Sequence, residues 1–224
     1  MKLSLVIAES ALELVPEGAK KHPAVLSDSR RRNRPPASIL LDRSIHHAAM
    51  LKLNDGLKRG RPDLVHITLL SVTGTPMYQD ESVRVFIHTI DDLVLEINEG
   101  TRPPKSYFRF RSLMEKLLLE RPKEGLINVY SSSLTELVKR LKGDLVVGLS
   151  IQGEYREFGE LASELVSTKN PVVLIGGFPH GHFAPSALKI LDQLVRVHER
   201  SLDAHVVAGR LIHSTEMKMK ETNQ

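Results

Sequence analysis

Residues 171–183, PVVLIGGFPHGHF, most directly suggest chemistry, because a run of apolar residues leads into a glycine-rich loop. Gly176, Gly177 and Gly181 permit a sharp turn and a close backbone approach to a ligand, since glycine adopts positive φ without strain. A phosphate-binding P-loop is not indicated, because His182 stands where that motif has its lysine. Open α/β sheets bind ligands at loops after the carboxyl ends of their strands. The segment therefore predicts a small-molecule site contacted mainly by backbone groups, with a plain strand-to-loop turn as the alternative.

Clustered basic residues suggest a second kind of chemistry, the binding of a polyanion. The chain has 31 Lys and Arg against 27 Asp and Glu, a net charge of +4. The clusters are Arg30, Arg31, Arg32 and Arg34; Lys58, Arg59 and Arg61; and Arg102, Lys105, Arg109 and Arg111. Arginine suits phosphate because its planar guanidinium donates paired hydrogen bonds. We expect an RNA or DNA partner, and solvated surface charge is the alternative for any single cluster.

The sequence TRPPKSYFRF, residues 101–110, makes the third cluster the best candidate for a rigid phosphate or base contact. Its two prolines keep the backbone extended before a helix, which fixes the direction of Arg102. Lys105 and Arg109 are four residues apart and share one side of that helix. An ordinary solvated helix face remains the alternative.

In residues 59–63, RGRPD, Arg61 and Asp63 flank a proline. The carboxylate of Asp63 is a candidate for orienting an arginine or for accepting a proton, and a turn-capping role is the alternative. The orienting role is preferred, because a carboxylate beside arginines is a weak base. The histidine pairs His46–His47 and His180–His182 have no third ligand at a metal-like spacing, so no metal is expected.

Composition limits the class of protein. The 224 residues are 41% hydrophobic, enough for one α/β core, and they include no cysteine, which excludes disulfides and thiolate chemistry. The N-terminal apolar run is too short to span a membrane and has no small-residue cleavage site, so it predicts a first strand. We expect a cytoplasmic protein with no membrane partner.

Hydrophobic patterning predicts the elements of the N-terminal half, although its strands and helices are irregularly spaced. The predicted strands are residues 3–8, 64–70, 83–90 and 93–97, and the predicted helices are residues 10–15, 39–53 and 107–120. Residues 16–36 are polar and rich in Pro and Arg, which predicts a surface loop. Asp42 or Ser44 is the expected N-cap of the second helix.

From residue 126 strands and helices alternate regularly. Strands are predicted at 127–130, 145–149, 172–175 and 194–198, and helices at 134–141, 158–166, 184–191 and 202–217. Such alternation is typical of a parallel sheet with helices on both faces. We expect a single domain over residues 1–224, with a small β excursion at about 64–104.

Four segments together, RGRPDLVHITLL, RPPKSYFRF with RSLMEKLL, GGFPHGHF and SLDAHVVAGRLIHSTE, resemble the ribosome-biogenesis pseudouridine N1-methyltransferase family. This archaeal and eukaryotic family belongs to the SPOUT superfamily, and the similarity extends over residues 2–216. Several motifs in the same order are a far more specific signal than any one of them. The absence of eukaryotic extensions favours an archaeal-type member.

The resemblance implies a SPOUT-like α/β fold whose C-terminal part forms a trefoil knot, and a homodimer that binds S-adenosylmethionine in the knot. It implies cofactor contacts by Gly176, Gly181 and the loop Val195, Arg196, Val197, His198, Glu199 and Arg200. It places Arg61, Arg102, Lys105 and Arg109 at rRNA-binding positions, and Asp63 at the position of an arginine-supporting carboxylate. Lys105 departs from the family, which usually has arginine there, so a bidentate phosphate contact is lost at that position.

The implied activity is transfer of a methyl group from S-adenosylmethionine to N1 of a pseudouridine in small-subunit rRNA during ribosome biogenesis. Other ribosome-assembly factors or ribosomal proteins are further candidate partners. One alternative is a non-catalytic RNA-binding assembly factor of the same fold. Another is an RNA methyltransferase that acts on the ribose 2′-OH or on a different base.

Overall fold

A seven-stranded mixed sheet forms the centre of the protein, whose computed structural model describes residues 1–222. Its strands are β1 (Leu3–Ser10), β2 (Val83–Thr89), β3 (Leu93–Ile97), β4 (Ile127–Ser131), β5 (Leu145–Tyr155), β6 (Pro171–Gly176) and β7 (Gln193–Arg196). Their order across the sheet is β4-β3-β2-β1-β6-β5-β7. Strand β3 is antiparallel to both its neighbours, and every other adjacent pair is parallel. The predicted α/β class with a largely parallel sheet is confirmed.

Helices cover both faces of this sheet. They are α1 (Pro23–Arg32), α2 (Arg43–Met50), α3 (Pro62–Thr73), α4 (Pro76–Gln79), α5 (Tyr107–Glu120), α6 (Leu134–Leu141), α7 (Phe158–Ser167), α8 (Pro185–Leu188) and α9 (Ala204–Thr222). Leu5 and Ile7 of β1 pack in one apolar cluster with residues of α3, α5, α7 and α9, whereas Val6 and Ala8 pack in a second with residues of α6 and α8. Because strand side chains alternate, a strand covered on both faces is apolar throughout. No helix in residues 1–222 is both long and apolar enough to cross a membrane.

The strand predicted at residues 64–70 is wrong, because these residues belong to α3. Pro62 occupies the first helical turn, where its missing N–H costs nothing, and Asp63 adds a negative charge that favours a helix N-terminus. Val65, Leu69 and Val72 are fully buried at helical spacing. Burial of this stripe outweighs the β-branched composition that favoured a strand.

The prediction for residues 10–36 is also wrong. Residues 10–15 form no helix: Ser10 ends β1, and the extended chain beyond it makes a bridge between Leu14 and Leu40. Residues 16–36 are not a simple loop, because they contain α1, which begins after the N-cap His22. Most of its side chains are polar, so hydrophobic patterning does not reveal it. The helix is stabilised by buried ion pairs instead.

Several other elements agree with the sequence, although the helices predicted at 39–53 and 184–191 are shorter, at Arg43–Met50 and Pro185–Leu188. Helix α5 spans the predicted residues 107–120, and Asp42 caps α2 by accepting a hydrogen bond from the Ser44 amide at 3.0 Å. Strand β5 continues well past its predicted end at residue 149, to Tyr155. The strands β2 and β3 of the expected excursion extend the main sheet.

A buried carboxylate attaches α5 to the N-terminal part of the chain. Glu115 is fully buried and accepts hydrogen bonds from Arg32 at 2.6 Å, from Arg34 at 2.5 Å and from the Leu40 amide at 3.1 Å. Neutralisation by two guanidinium groups compensates the carboxylate for the loss of water. The position of α5 therefore depends on this cluster.

We expect Glu115→Gln to lower the free energy of unfolding by about 3–5 kcal/mol, because it leaves two arginines without their buried counter-charge. Denaturant unfolding measures this change. The matched control is Glu120→Gln on the same helix, whose exposed partner Lys116 lies 3.8 Å away, and which changes stability by about 0.5 kcal/mol or less. Equal small effects of both substitutions would contradict the role assigned to Glu115.

Candidate functional site

A cavity of about 440 Å³ lies at the carboxyl ends of β6 and β7 and beside β5. Three chain segments form its walls, at residues 149–151, 175–183 and 196–207. Arg61, which precedes α3, and the α3 residues Leu64 and Ile67 close a further side. The pairing of β5 with β7 shifts register between Leu149 and Glu154, and such an irregularity bends a strand away from its neighbour. The volume falls within the ~300–1,000 Å³ of typical small-molecule sites.

The glycine loop that follows β6 has the close packing and the turn expected from the sequence. The Gly177 amide donates to the carbonyl of Ala8, and its own carbonyl accepts from the Ala11 amide, both at 2.8 Å. A Cβ on Gly177 would lie 2.3 Å from the Ser10 hydroxyl, so no larger residue fits. Gly181 has a φ of +97°, which requires glycine, and a Cβ at this position would meet no atom within 4 Å. Gly181 therefore borders open space.

Two charged side chains hold the far end of this loop. Glu9 accepts a hydrogen bond from the Ala184 amide at 2.9 Å and forms an ion pair with Lys58. Lys58 also donates to the carbonyl of His182 at 2.8 Å, and its ammonium lies 4.1 Å from the centroid of the Phe178 ring. The loop is therefore fixed at both ends, by backbone bonds to β1 and by this ion pair.

Arg61 and Asp63 form the arginine–carboxylate pair predicted from the sequence. Nε of Arg61 donates to Oδ1 of Asp63 at 2.8 Å, and Nη2 donates to Oδ2 at 2.9 Å. The hydrogen bond to Asp63 raises the pKa of the Arg61 guanidinium, and burial opposes that rise. Because both carboxylate oxygens are engaged, the geometry favours an orienting role for Asp63. Arg61 lines the cavity.

The residues predicted to bind a cofactor are divided between the cavity wall and its surroundings. Those that line the cavity are Gly176, Gly181, Arg196, Val197, His198 and Arg200. Val195 is buried within β7, and Glu199 is exposed and does not line the cavity. Of the six predicted residues 195–200, which span the end of β7 and the loop after it, four therefore line the cavity.

The other three predicted rRNA-binding residues lie outside the cavity. Arg102, Lys105 and Arg109 are all exposed, immediately before and within the first turn of α5. His66 of α3 connects this segment to the cavity side: its Nε2 donates to the Pro104 carbonyl at 2.7 Å, and its ring stacks on Phe110 at a centroid distance of 4.3 Å.

Most cations of the first two basic clusters form ion pairs within the protein. Fewer cations are therefore available to bind a nucleic acid than the sequence suggests. In the first cluster Arg31 pairs with Asp28, and Arg32 and Arg34 pair with Glu115. In the second cluster Lys58 pairs with Glu9, and Arg59 forms a buried pair with Glu13. Within residues 1–222, no carboxylate forms an ion pair with Arg102, Lys105 or Arg109. These three cations of the third cluster therefore present their charge to solvent, whereas Arg111 is partly buried.

Sequence patterning missed several residues of the cavity wall. They are Ser150, Ile151, Phe178, Ser201, Asp203 and His205. Ser150 and Ile151 lie beyond the predicted end of β5, and Phe178 belongs to the glycine loop, whose next aromatic residue is Phe183. Its position within the glycine loop is the only sequence signal that could have indicated Phe178. Residues 1–222 contain no cluster of three or more His, Asp or Glu side chains suited to a metal ion.

The fold and the cavity together define an α/β protein with a small-molecule site at the carboxyl ends of parallel strands, next to a solvent-exposed row of cations. A sequence model described as EMG1/NEP1 methyltransferase matches residues 5–216. The chain belongs to this family, and the resemblance predicted from its motifs is confirmed.

Relatives of known name agree with this assignment. The chain is 38% identical to the ribosomal RNA small subunit methyltransferase Nep1 of Pyrococcus furiosus over 224 residues, covering 97% of this chain and 98% of that protein. It is 43% identical to Nep1 of Pyrobaculum neutrophilum over 217 residues, covering 95% and 96%. The crystal structure of Archaeoglobus fulgidus Nep1 bound to S-adenosylhomocysteine superimposes with a TM-score of 0.87 at 35% identity, covering 98% of this chain and 100% of that chain.

We expect Lys58→Ala to loosen the glycine loop without unfolding the protein, because it removes the charged hydrogen bond to His182 and the partner of Glu9. Loss of a charged hydrogen bond should accelerate amide hydrogen exchange at residues 178–184 by roughly tenfold. Exchange mass spectrometry measures this, with the exposed Lys52→Ala as the control. Unchanged exchange in the loop of Lys58→Ala would show that the backbone bonds alone hold it.

Proposed function

We propose that this protein is an S-adenosylmethionine-dependent methyltransferase that methylates N1 of a pseudouridine in small-subunit rRNA. The main support for the proposal is that one segment contacts both a cofactor-sized cavity and the exposed cations. Arg61 lines the cavity, and His66 bonds to Pro104, which lies between Arg102 and Lys105. Membership of the EMG1/NEP1 methyltransferase family supports the reaction class. The names of the relatives support small-subunit rRNA as the substrate.

The cavity fits S-adenosylmethionine in volume and in the chemistry of its walls. The glycine loop and the loop before α9 offer backbone amides and carbonyls, and Leu149, Ile175 and Val207 offer apolar surface. The open space beside Gly181 lets a ligand approach the backbone closely. We assign the cofactor contacts to Gly176, Gly181 and residues 195–200. Those that line the cavity would contact the cofactor directly, and Val195 and Glu199 would act by shaping the segment that does.

When bound, S-adenosylmethionine supplies a methyl group activated by a sulfonium leaving group. The tasks of the protein are then to align the nucleophile with that methyl group and to hold the RNA. Transfer would form a bond between N1 of pseudouridine and the methyl carbon as the carbon–sulfur bond breaks, and the N1 proton would pass to water. We assign the proton to water because Asp63 does not line the cavity and its carboxylate is hydrogen-bonded to Arg61.

The RNA is held by residues outside the cavity. A target base in a loop must leave its stack to enter a pocket, and cations that hold the flanking phosphates favour that arrangement. We propose this role for Arg102, Lys105 and Arg109, with Arg61, oriented by Asp63, at the mouth of the cavity. We also propose that the protein acts as a single-domain homodimer in the cytoplasm, with ribosome-assembly factors or ribosomal proteins as further partners.

Methyl transfer to two matched rRNA hairpins, one with uridine and one with pseudouridine at the target, tests the proposal. Nucleoside mass spectrometry should find N1-methylpseudouridine in the second hairpin only. A methyl group on a ribose 2′-OH or on another base would contradict the proposed specificity. Tight RNA binding with neither methylation nor cofactor binding would favour a non-catalytic assembly factor.

We expect Gly181→Val to weaken S-adenosylmethionine binding at least about tenfold. A non-glycine residue at φ of +97° is strained by roughly 1–3 kcal/mol, and the new side chain would enter the space beside the cavity. Isothermal titration calorimetry measures the affinity. The control is Gly209→Ala on α9, where a Cβ also meets no atom within 4 Å but which lies outside the cavity wall. Normal cofactor affinity in Gly181→Val would show that the cofactor binds elsewhere.

We expect Arg102→Ala and Arg109→Ala to weaken RNA binding and leave cofactor affinity unchanged, because neither side chain lines the cavity. Each loss of a phosphate contact should reduce the slope of log affinity against log salt by about 1. Titration of a labelled hairpin at several salt concentrations measures the slope. The exposed Lys123→Ala, beyond the other end of α5, is the control. Parallel loss of RNA and cofactor binding would instead indicate damage to the fold.

A further inference from the structure

Phe108 is a large apolar side chain that the fold leaves open to solvent. Phe108 is 70% exposed. Among the Phe and Tyr residues of the described chain, only Phe108 and Tyr155 are exposed, and Phe108 is the more exposed of the two. Its neighbours on α5 point the other way: Phe110 is fully buried, and the Tyr107 hydroxyl donates to Asp42. Burial and the hydrogen bond to Asp42 raise the pKa of Tyr107, so that hydroxyl stays protonated. The ring of Phe108 therefore contributes little to the core.

Positive charge surrounds this ring. Arg109 follows Phe108 directly, Lys105 lies just before the helix, and Arg111 is three residues further along it, a spacing that makes helix residues neighbours. The Arg111 guanidinium carbon lies 5.5 Å from the centroid of the ring. An apolar protein surface would lose free energy by covering these cations, whereas single-stranded nucleic acid combines planar bases with a negative backbone. The surroundings of Phe108 favour a nucleobase as its partner.

The helix that carries Phe108 is also held rigidly. Glu115 ties α5 to Arg32 and Arg34, and His66 stacks on Phe110 and bonds to Pro104. A stacking surface that is fixed before binding loses less entropy when the ligand arrives. Helix α3 carries both His66 at this contact and the cavity-lining residues Leu64 and Ile67, so a base on Phe108 and a base in the cavity would belong to one bound RNA segment.

We propose that Phe108 is a stacking platform for an unpaired base of the substrate RNA, close to the target nucleotide. This inference rests on the proposed function and adds a contact with a base to the contacts with phosphates assigned above. Stacking needs a π face and tolerates different bases, so Phe108 contributes affinity and register rather than the reading of one sequence.

Binding of a pseudouridine-containing hairpin to Phe108 variants tests the inference. Phe108→Ala should weaken binding roughly 5- to 150-fold, the range for loss of one aromatic–base stack, without changing the salt slope. Phe108→Tyr should retain the wild-type affinity, and Phe108→Leu, which keeps apolar volume without a π face, should behave like Phe108→Ala. Leu119→Ala, another exposed apolar residue of α5, is the control and should have no effect.

An abasic scan of the hairpin loop makes the test specific for stacking. Removing the stacked base should weaken binding to the wild-type protein, and Phe108→Ala should add nothing further at that one position. The inference would be overturned if Phe108→Ala bound RNA as tightly as the wild type, or if its effect added fully to that of an abasic site at every loop position. Either result would favour a protein partner for Phe108. Methyl transfer by the wild-type protein tests the proposed function separately, so the two failures are distinguishable.

Discussion

The carboxyl end of β1 is the attachment point for the segments that form the cavity. The backbone of Ala8 and Ala11 bonds to Gly177, and the Ala11 carbonyl also accepts from the Arg61 amide at 3.0 Å. Between them Glu9 has φ of +49°, a conformation that costs a non-glycine residue free energy and that persists only where surrounding contacts enforce it. This turn directs the Glu9 carboxylate to Lys58 and the glycine loop. The glycine loop and Arg61 thus share one anchor.

The distribution of ion pairs explains how a weakly basic chain can present a strongly basic surface. Buried charges must be paired, and Asp28, Glu115, Glu9 and Glu13 each take cations from the first two clusters. These pairs position α1, α5 and the segment before α3. Within residues 1–222, Arg102, Lys105 and Arg109 of the third cluster form no such ion pair, so their charge is available to a ligand. Net charge alone therefore does not indicate where an anionic ligand could bind, whereas the ion-pair partner of each cation does.

The sequence predicts the parts of the site that depend on local patterns. The glycine loop, helix α5 and the Arg61–Asp63 pair follow from residue types at short spacing, and the family follows from four motifs in order. Patterning mistakes helix α3 for a strand because its β-branched residues are ambiguous until their burial is known. The contacts of Lys58 with Glu9 and of His66 with Pro104 join residues 49 and 38 positions apart, and no periodicity indicates such pairs.

The proposed function requires that the cavity and the exposed cations together present a pseudouridine to a methyl donor. A crystal structure with S-adenosylhomocysteine and a pseudouridine hairpin measures this most directly. The product cofactor should lie against the glycine loop, and N1 of the target base should face its sulfur with room for one methyl group between them. The flanking phosphates should contact the third cluster. A target base bound away from the cavity, or turned so that the ribose faces the sulfur, would contradict it.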